Sequence, residues 1–512
     1  MRKAGRGPVV AASSSEPQGP RTYGNWRKPS TAGLMGLGTL GTALLLGGLI
    51  FVVFMVMAAG MLAGMVGGAI VGMMLLAVLV KDKHDRNLLS RMTVRIAWWN
   101  TRSSKAHLYR SGPLGRTPWG TFQLPGLAAA SRLSEHTDSY GRPFALLYVP
   151  ATGHYTVVIG TEPDGAALVD PEQIDVWVAG WGHWLANLGD EPGIEAASVT
   201  VETAPDTGTR LRREVISSID PEAPEFARAV LEEAVDNYPM GSSIVKAYVA
   251  VTFSATSRTG GKRRKPDEMG TELAARIPNL TQQLSATGAG AAHPLTAQEL
   301  CETIRIAYDP ASAVLIDEAH AAGETPELTW PDVGPTAHQT MWDCYIHDGA
   351  LSMTWSMTSA PRGNVQANIL SRLLAPHADI ARKRVTLLYR PLDAARAASI
   401  VEADLRAAEF RQTSSHKPTA RDVMATRAAR ATAAEEASGA GLVNFGLVVT
   451  ATVTDPELKA EARAAIDNLS ATARLRLRLV HGSQDSAFAG ALPLGLVLPK
   501  HLKIPAELKE QL

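Results

Sequence analysis

One short motif has the composition of a nucleotide-hydrolysing site. Residues 315–320 read Leu-Ile-Asp-Glu-Ala-His, so an apolar run leads directly into Asp317 and Glu318. In a Walker B or DEAH motif, such a run is a strand, the aspartate holds Mg²⁺, and the glutamate orients the attacking water. Taken alone, the pattern predicts a strand that ends in a catalytic acid pair.

The sequence lacks the partner of that motif. Phosphoryl transfer of this kind needs a glycine-rich loop, G-x-x-x-x-G-K-[ST], whose backbone amides hold the phosphates. The one Gly-Lys pair, Gly261-Lys262, is followed by Arg263, and Thr256 stands where the first glycine belongs. We therefore expect no ATPase activity, and a membrane-bound nucleotidase that uses the acid pair is the least favoured alternative.

Other catalytic patterns are also missing from the sequence. It contains no C-x-x-C, H-E-x-x-H or G-x-S-x-G motif, the signatures of thiol redox, zinc hydrolase and serine hydrolase sites. Asp343, His347 and Asp348 lie close to Cys344, but they surround a predicted hairpin turn, where polar residues are ordinary. The two cysteines, Cys301 and Cys344, fit a reducing cytoplasm. We expect no enzyme activity, cofactor or metal ion.

The N-terminal part of the chain contains a long uncharged stretch. Residues 32–80 include no charged side chain, and a membrane span needs about 20 apolar residues. The stretch is too long for one span and suits two, over residues 34–55 and 60–80. It also exceeds the 7–15 residues of a signal-peptide core. We expect a retained transmembrane hairpin that anchors the protein in a lipid bilayer.

The charges beside this stretch predict its orientation. Residues 1–31 carry six Lys or Arg and one acid, and residues 81–116 carry nine Lys or Arg and two acids. Basic flanks stay on the cytoplasmic side, and Trp26, Trp98 and Trp99 stand where interfacial aromatics are common. We therefore predict a multi-pass protein of the cell membrane with both termini in the cytoplasm. The basic flank after the spans also suits anionic lipid headgroups.

Four glycines recur every four residues in the second predicted span. Gly60, Gly64, Gly68 and Gly72 would line one face of a helix, and small residues at this spacing let membrane helices approach closely. The pattern predicts a helix-packing face. The face either docks the first span of the same hairpin or assembles copies of the chain into a homo-oligomer.

The soluble remainder shows mixed strand and helix signals. Strands alternate with helices and hairpins, which predicts an α+β or α/β fold. A hairpin is predicted over residues 144–160 and another around Asp348-Gly349, with its first strand over 341–346. A helix is predicted over 267–286, and a polar helical arm over 412–438. Trp177, Trp181 and Trp184 recur at helical spacing after Asp170-Pro171 and are predicted to form a core face.

Composition divides the chain into six predicted parts. Its formal net charge is +0, so no overall field favours nucleic acid. The parts are a disordered basic N-terminus (1–31), two transmembrane helices (32–80), a basic membrane-proximal segment (81–109), a first α/β module (110–255), a helical region with a basic loop (256–340) and a second α/β module (341–512).

Two basic features leave direct nucleic-acid contact open. The loop over residues 258–265 is strongly basic, and Arg474, Arg476 and Arg478 alternate with leucines in a predicted strand over 474–480. Alternation places the three arginines on one face of that strand. A solvated strand face is the favoured interpretation.

Several short motifs resemble a known membrane protein family. Residues 22–27 (TYGNWR), 109–112 (YRSG) and 124–127 (LPGL), together with the two spans, resemble an actinobacterial family of integral membrane proteins from conjugative elements. The spans are similar to the small two-span subunit of type IV secretion systems. Residues beyond 140 are similar to the non-ATPase N-terminal region of conjugation ATPases. The matching segments there are 175–177, 295–300 before Asp309-Pro310, 348–355 and 488–493.

The resemblance implies a role in transfer across a membrane. It implies a non-catalytic inner-membrane subunit of a type IV secretion-like or conjugal transfer apparatus. Such a subunit would anchor a separately encoded ATPase and contact other membrane subunits. On this interpretation, the acid pair Asp317-Glu318 falls in a loop without catalytic meaning. The alternative from another class of machine is a component of type VII secretion.

Overall fold

The computed structural model describes residues 21–24, 26, 38–80, 82, 84, 86–113, 115, 117, 121–163, 165, 168–206, 208–220, 222–237, 243–256, 260–361, 363–414 and 419–502. Within these residues the chain forms a long apolar N-terminal helix and a mixed α/β body around one large sheet. The predicted coarse fold class is thereby confirmed.

The described residues contain thirteen strands, all in the same sheet. In chain order they are β1 (Leu108–Arg110), β2 (Arg132–Thr137), β3 (Pro143–Val149), β4 (His154–Glu162), β5 (Ile194–Pro205), β6 (Ser243–Ser254), β7 (Ala291–Pro294), β8 (Ala337–Thr340), β9 (Tyr345–His347), β10 (Ala350–Ser359), β11 (Arg382–Pro391), β12 (Val443–Val453) and β13 (Arg476–Leu479). Their order is β1-β8-β9-β10-β12-β11-β5-β6-β4-β3-β2, while β13 pairs with β10 and β7 with β4.

The helices precede the sheet or connect its strands. They are α1 (Gly38–Leu79), α2 (Leu88–Ser103), α3 (Pro171–Asp190), α4 (Thr209–Ser218), α5 (Glu225–Asn237), α6 (Pro266–Ala274), α7 (Ile277–Leu284), α8 (Ala297–Tyr308), α9 (Ser312–Ala322), α10 (Ser371–Leu374), α11 (Ala394–Thr413), α12 (Ala420–Ala437), α13 (Lys459–Thr472) and α14 (Gln484–Gly490).

The two halves of the sheet repeat one order of elements. Hairpin β3–β4 leads through α3 to β5 and then through α4 and α5 to β6. Hairpin β9–β10 leads in the same way through α10 to β11, and then through α11 and α12 to β12. The sheet orders, β3-β4-β6-β5 and β9-β10-β12-β11, are also the same. The two α/β modules that we predicted separately therefore share one sheet, joined where β5 pairs antiparallel with β11.

Local sequence explains most of the elements and two departures from expectation. Trp184 is buried on α3 and stacks on Trp181 at 4.8 Å between ring centroids, so the tryptophan face is core as predicted. The helix predicted over 267–286 divides into α6 and α7 because Pro278, in the first turn of α7, has no backbone N–H to continue the earlier helix. The strand predicted over 341–346 begins at Tyr345, because the backbone of Met341 and Cys344 closes a turn first.

One face of the sheet carries a row of buried hydroxyl groups. Cross-strand hydroxyl pairs join β4 to β6, β5 to β11 and β10 to β12 at oxygen separations of 3.0 to 3.2 Å; they are Thr156–Thr252, Thr200–Thr386 and Thr354–Thr450. Buried hydroxyl groups need partners, because each one left unpaired costs about 1 to 3 kcal/mol. This face therefore needs a polar cover.

Residues 484–497 supply that cover and cross both repeats. The side-chain oxygen of Gln484 accepts from the backbone N–H of Thr354 at 2.9 Å. Farther along, the carbonyl of Ala491 accepts from Thr386, and the carbonyl of Gly495 accepts from Thr252. Apolar side chains of the same segment enter the core beside these bonds, and Phe488 is completely buried. The segment thus fastens both repeats from one side.

Gly495 is the tightest point of this covering segment, which yields a stability prediction. Its φ of 61° favours glycine, and an added Cβ would lie 2.3 Å from Oγ1 of Thr252 and 2.4 Å from Oγ1 of Thr156. Gly495→Ala is expected to lower the free energy of unfolding by about 2 to 4 kcal/mol. Thermal unfolding in detergent measures the loss.

Gly446→Ala is the matched control, because a Cβ at Gly446, within β12, meets nothing within 4 Å. We expect this substitution to leave the unfolding temperature nearly unchanged. Equal effects of the two substitutions would show that residues 484–497 are not held closely against the sheet.

Candidate functional site

The helix α1 is exposed along an unusually apolar surface. Within its segment Gly41–Leu79, an 18-residue stretch has a mean hydropathy of 2.6, and only 6% of that stretch is buried within the protein. Met57, Met61 and Leu62 are 83%, 77% and 80% exposed. Exposed apolar surface on this scale marks contact with a membrane or another protein. By length and composition, the segment qualifies to cross a membrane.

The apolar helix is interrupted at Gly60 and turns back on itself. Gly60 has φ 84° and ψ 177°, which are not helical values. A Cβ on Gly48 would lie only 2.3 Å from Cγ1 of Val71. In an unbroken helix, these two residues would stand about 35 Å apart along the axis. The parts before and after Gly60 therefore pack side by side.

The repeating glycines divide into three roles. Gly64 and Gly68 face the earlier part of α1: an added Cβ would lie 2.1 Å from Val56 for Gly64 and 4.0 Å from Val52 for Gly68. Gly60 is the break itself, and Gly72 meets nothing within 4 Å. The predicted face requires a helical backbone at all four glycines, and Gly60 does not have one. Close packing within the hairpin is the arrangement that Gly64 and Gly68 adopt.

A compact junction joins α1 to α2. The backbone N–H groups of His84 and Arg86 donate to Oδ1 of Asp82 at 2.7 and 3.1 Å, and Arg91 forms an ion pair with the same carboxylate. The ion pair and these backbone bonds hold the pKa of Asp82 well below its usual range. His84 also lies 3.4 Å from the hydroxyl of Thr358 on β10. The junction is therefore anchored to the sheet.

The helix α2 is attached to the body through an aromatic cluster. Trp98 lies 6.0 Å from Trp342 and 6.1 Å from His107 between ring centroids, and Trp342 contacts His481 in turn. An aromatic cluster of this kind fixes the rotation of a helix about its axis, because large rings have few alternative positions in a packed site. The basic segment after α1 is thus an ordered helix held on the sheet.

The predicted acid pair lies in a helix, which corrects two expectations. Residues 312–322 form α9 rather than a strand or a loop. They are rich in alanine, Ala313 and Ile316 face the core one turn apart, and Gly323 ends the helix with φ 79°. Successive side chains on a helix point about 100° apart. The carboxylates of Asp317 and Glu318 therefore point in different directions. This is not the geometry of a strand that ends at Mg²⁺.

The surroundings of the pair also leave little space for a nucleotide. Asp317 borders a cavity of about 30 Å³, which it shares with Glu202, Lys246 and Arg382. That volume suits about one water molecule. Glu318 is exposed on the other side of the helix. His320 lies 3.0 Å from the carboxylate of Glu302 in a contact outside this cavity.

A buried ion cluster stands at the joint between the two repeats. Glu202 on β5 is the cross-strand partner of Arg384 on β11, with 2.6 Å between Oε2 and Nη2. Arg382 binds the other carboxylate oxygen at 2.9 Å. Burial alone would raise the pKa of Glu202, but the two guanidinium groups lower it to about 2. The cluster therefore stabilises the joint as a charged unit.

The basic loop and the arginine-rich strand are the remaining basic candidates. In the basic loop, Arg263 donates to the carbonyl of Pro150 at 3.0 Å and Arg264 pairs with Glu272, while residues 257–259 lie outside the described part. Arg474 precedes β13 with φ 54°, so the predicted row of three arginines on one strand is wrong. Arg476 and Arg478 alone belong to that strand.

Cys344 and the polar residues near it in sequence are held in structural contacts. Cys344 is buried and lies 3.5 Å from Nζ of Lys459, whose nearer partner is Asp343 at 2.9 Å. His347 is fully buried between the carbonyl of Tyr308 and a serine hydroxyl. Burial raises the pKa of the Cys344 thiol and lowers the pKa of His347 to about 4. Within the described residues, no group of acidic, histidine or cysteine side chains is arranged to hold a metal ion.

Equivalent helical insertions in the two repeats expose apolar side chains. On α5, between β5 and β6, Phe226 is 81% exposed and Val230 is 47% exposed. On the α11–α12 pair, between β11 and β12, Phe410 is 71% exposed and Met424 is 62% exposed. The polar arm predicted over 412–438 contains α12, which packs on α11 and exposes Met424. No sequence motif marked these surfaces, but their helical spacing was visible.

The glycine contacts predict a clear difference between two adjacent positions. A Cβ added to Gly48 would collide with Val71, whereas a Cβ added to the neighbouring Gly47 would meet nothing within 4 Å. Gly48→Leu is expected to separate the two parts of α1 by about 2 Å, within the range set by side-chain size at helix contacts. Gly47→Leu should cause no separation.

Electron–electron distance measurement between nitroxide labels at Leu46→Cys and Met73→Cys, both exposed positions, tests this difference. All labelled variants are made in a chain in which Cys301 and Cys344 are replaced with alanine, so that only the introduced cysteines carry labels. The same distance in both leucine variants would contradict the hairpin.

The ion cluster predicts an acid-dependent loss of stability. Since Glu202 has a lower pKa in the folded chain than its ordinary 4.5, its contribution is complete above about pH 4.5 and is lost as the pH falls toward 2. Glu202→Gln should cost about 3 kcal/mol at neutral pH, because Arg384 stays buried without its partner. Thermal unfolding across this pH range measures both effects.

Glu409→Gln is the control, because its ion pair with Arg430 is exposed. Such a surface pair contributes at most about 1 kcal/mol. If Glu202→Gln kept the full acid-dependent loss of the natural chain, another group would have to cause it.

Comparisons with known proteins concern the N-terminal part of the chain. A family model described as a domain of unknown function, DUF8461, matches residues 30–90. The matched residues contain α1, the junction after it and the first residues of α2. No curated protein matches the chain. The match covers a minor part of the sequence and carries no functional description, so the geometry of the site must support any functional conclusion.

Proposed function

We propose that this protein is a non-catalytic inner-membrane subunit of a type IV secretion-like or conjugal transfer apparatus. In this proposal, α1 crosses the membrane twice, both termini are cytoplasmic, and the α/β body docks a separately encoded ATPase. The observation that carries the proposal is the exposed apolar surface of α1, which is joined through an ordered junction to a large sheet body. The resemblance of the sequence motifs supplies the class of apparatus.

The length of α1 supports two crossings. At 1.5 Å per residue, residues 38–59 extend about 33 Å and residues 61–79 about 28 Å. Each value is close to the hydrocarbon thickness of about 30 Å. The reversal at Gly60 supports a topology in which both ends of the apolar segment lie on one side of the membrane. The basic flanks at both ends favour the cytoplasmic side.

The helix α5 is the proposed docking face for the ATPase. Phe226 and Val230 are 81% and 47% exposed and lie one helical turn apart on one face, and the adjacent Leu231 is 44% exposed. An amphipathic helix with an aromatic anchor is a common way to occupy a groove on a partner protein. Only a few such residues usually carry most of the binding energy. Other membrane subunits and further copies of this chain are the partners proposed for the surface of α1.

Affinity purification tests this proposal in a host that expresses the whole apparatus. The tagged full-length protein is purified in detergent, and the bound proteins are identified by mass spectrometry. The natural chain is expected to recover the ATPase of the same system. Phe226→Glu should reduce that recovery about tenfold, because loss of one anchor costs about 1 to 2 kcal/mol or more.

Leu168→Glu is the matched control, since Leu168 is a fully exposed leucine outside the helices. It should leave recovery of the ATPase unchanged. Absence of any ATPase with the natural chain would contradict the platform role. Full recovery with Phe226→Glu would keep the role and exclude α5 as the docking face.

A further inference from the structure

The helix α2 has an exposed apolar stripe along its whole length. Leu88, Met92, Ile96 and Trp99 are 45%, 51%, 61% and 72% exposed. Their separations of four, four and three residues place them on one face of the helix. No side chain of the described protein covers these residues substantially. A stripe of this size on an ordered helix requires an apolar environment outside the body.

The attachment of α2 prevents the stripe from turning inward. Val94 and Trp98 are half-buried on the opposite side of the helix from Met92 and Ile96. Trp98 packs between Trp342 and His107, as described above. Because this contact fixes the rotation of α2, the stripe stays directed away from the sheet.

A row of arginines lies along one side of the stripe. Arg91, Arg95 and Arg102 are separated by four and seven residues, so they share one line on the helix surface, between the stripe and the attached side. All three are exposed, and Arg91 also pairs with Asp82. The described part of α2 contains no acidic residue that would neutralise this row. Arginine beside an apolar face suits lipid phosphate groups.

The connection to α1 keeps α2 close to the membrane surface. Eight residues separate Leu79 from Leu88, and a fully extended chain of that length reaches at most about 29 Å. The bonds of Asp82 to His84 and Arg86 make the connection more compact than that limit. The helix therefore starts within a short distance of the point where the apolar segment ends.

We propose that α2 lies in the plane of the membrane surface and binds anionic lipid. Its apolar stripe enters the boundary between headgroups and acyl chains, and its arginine row binds lipid phosphates. This inference rests on the proposed membrane anchoring by α1. It adds a consequence for the body: Trp98 holds the sheet at a set orientation to the bilayer, so the surfaces of α5 and α11–α12 face fixed directions.

Nitroxide labels on the full-length protein in lipid nanodiscs test the inference. Single cysteines replace Ile96 on the stripe, Ala97 on the exposed side away from it, or Leu46 on α1, in a background with Cys301 and Cys344 changed to alanine. Collision rates with oxygen and with a water-soluble nickel chelate report whether each label lies in lipid or water. We expect the ratio of oxygen to nickel collisions at Ile96 to be several-fold higher than at Ala97 and close to that at Leu46.

Lipid charge separates specific binding from simple proximity. In discs of phosphatidylcholine containing one-third phosphatidylglycerol, the Ile96 label should lie deeper than in phosphatidylcholine alone. Replacement of Arg95 and Arg102 with glutamine should remove that difference, and replacement with lysine should largely retain it, because lysine keeps the charge. A depth that does not respond to either change would overturn lipid binding by the arginine row.

The reporter on α1 distinguishes two kinds of failure. If the Leu46 label is in lipid while the Ile96 label is as accessible to nickel as the Ala97 label, α2 does not lie in the membrane surface and the proposed anchoring stands. If the Leu46 label is itself exposed to water, the proposed membrane anchoring by α1 is wrong, and the inference about α2 is wrong with it.

Discussion

The antiparallel pairing of β5 with β11 is the contact on which the rest of the body depends. It joins two similar strand–helix repeats into one sheet, and it places Glu202 opposite Arg384 at the joint. The same pairing aligns the hydroxyl row that continues through Thr200 and Thr386 across both repeats. Residues 484–497 can then bind both repeats at once, because the groups they need lie on one continuous face. Separation of the strands would leave charges and hydroxyls buried without partners, which makes the joint strongly cooperative.

This joint also bears on how α1 and α2 are attached to the body. The junction after α1 contacts β10 and lies beside β13, both of which belong to the second repeat. The helix α2 reaches the same region through Trp98 and Trp342. The residues after α1 thus attach to the second repeat, whereas Tyr23, before α1, donates a hydrogen bond to Asp175 on α3 of the first repeat.

The exposed surfaces, rather than an internal pocket, carry the functional interpretation. The acid pair in α9 points in two directions beside a cavity of about 30 Å³. Several large apolar side chains are exposed on α1, α2, α5 and the α11–α12 pair. These helices precede the sheet or are inserted between its strands, so the sheet holds several interaction surfaces in fixed relation to one another. Such an arrangement suits a protein whose role is to bring other components together at a membrane.

The sequence by itself determined the elements whose signals are local. The uncharged run of α1, the hairpin around Asp348-Gly349 and the start of α3 at Pro171 all follow from neighbouring residues, and each was predicted close to its observed place. Only the tertiary structure decided how strands more than 180 residues apart in sequence pair, as Glu202 and Arg384 do. It also decided that residues 312–322 are helical and that Gly48 packs against Val71 within α1. Those outcomes depend on which surfaces meet in the fold, and a short local sequence does not specify its distant contact partners.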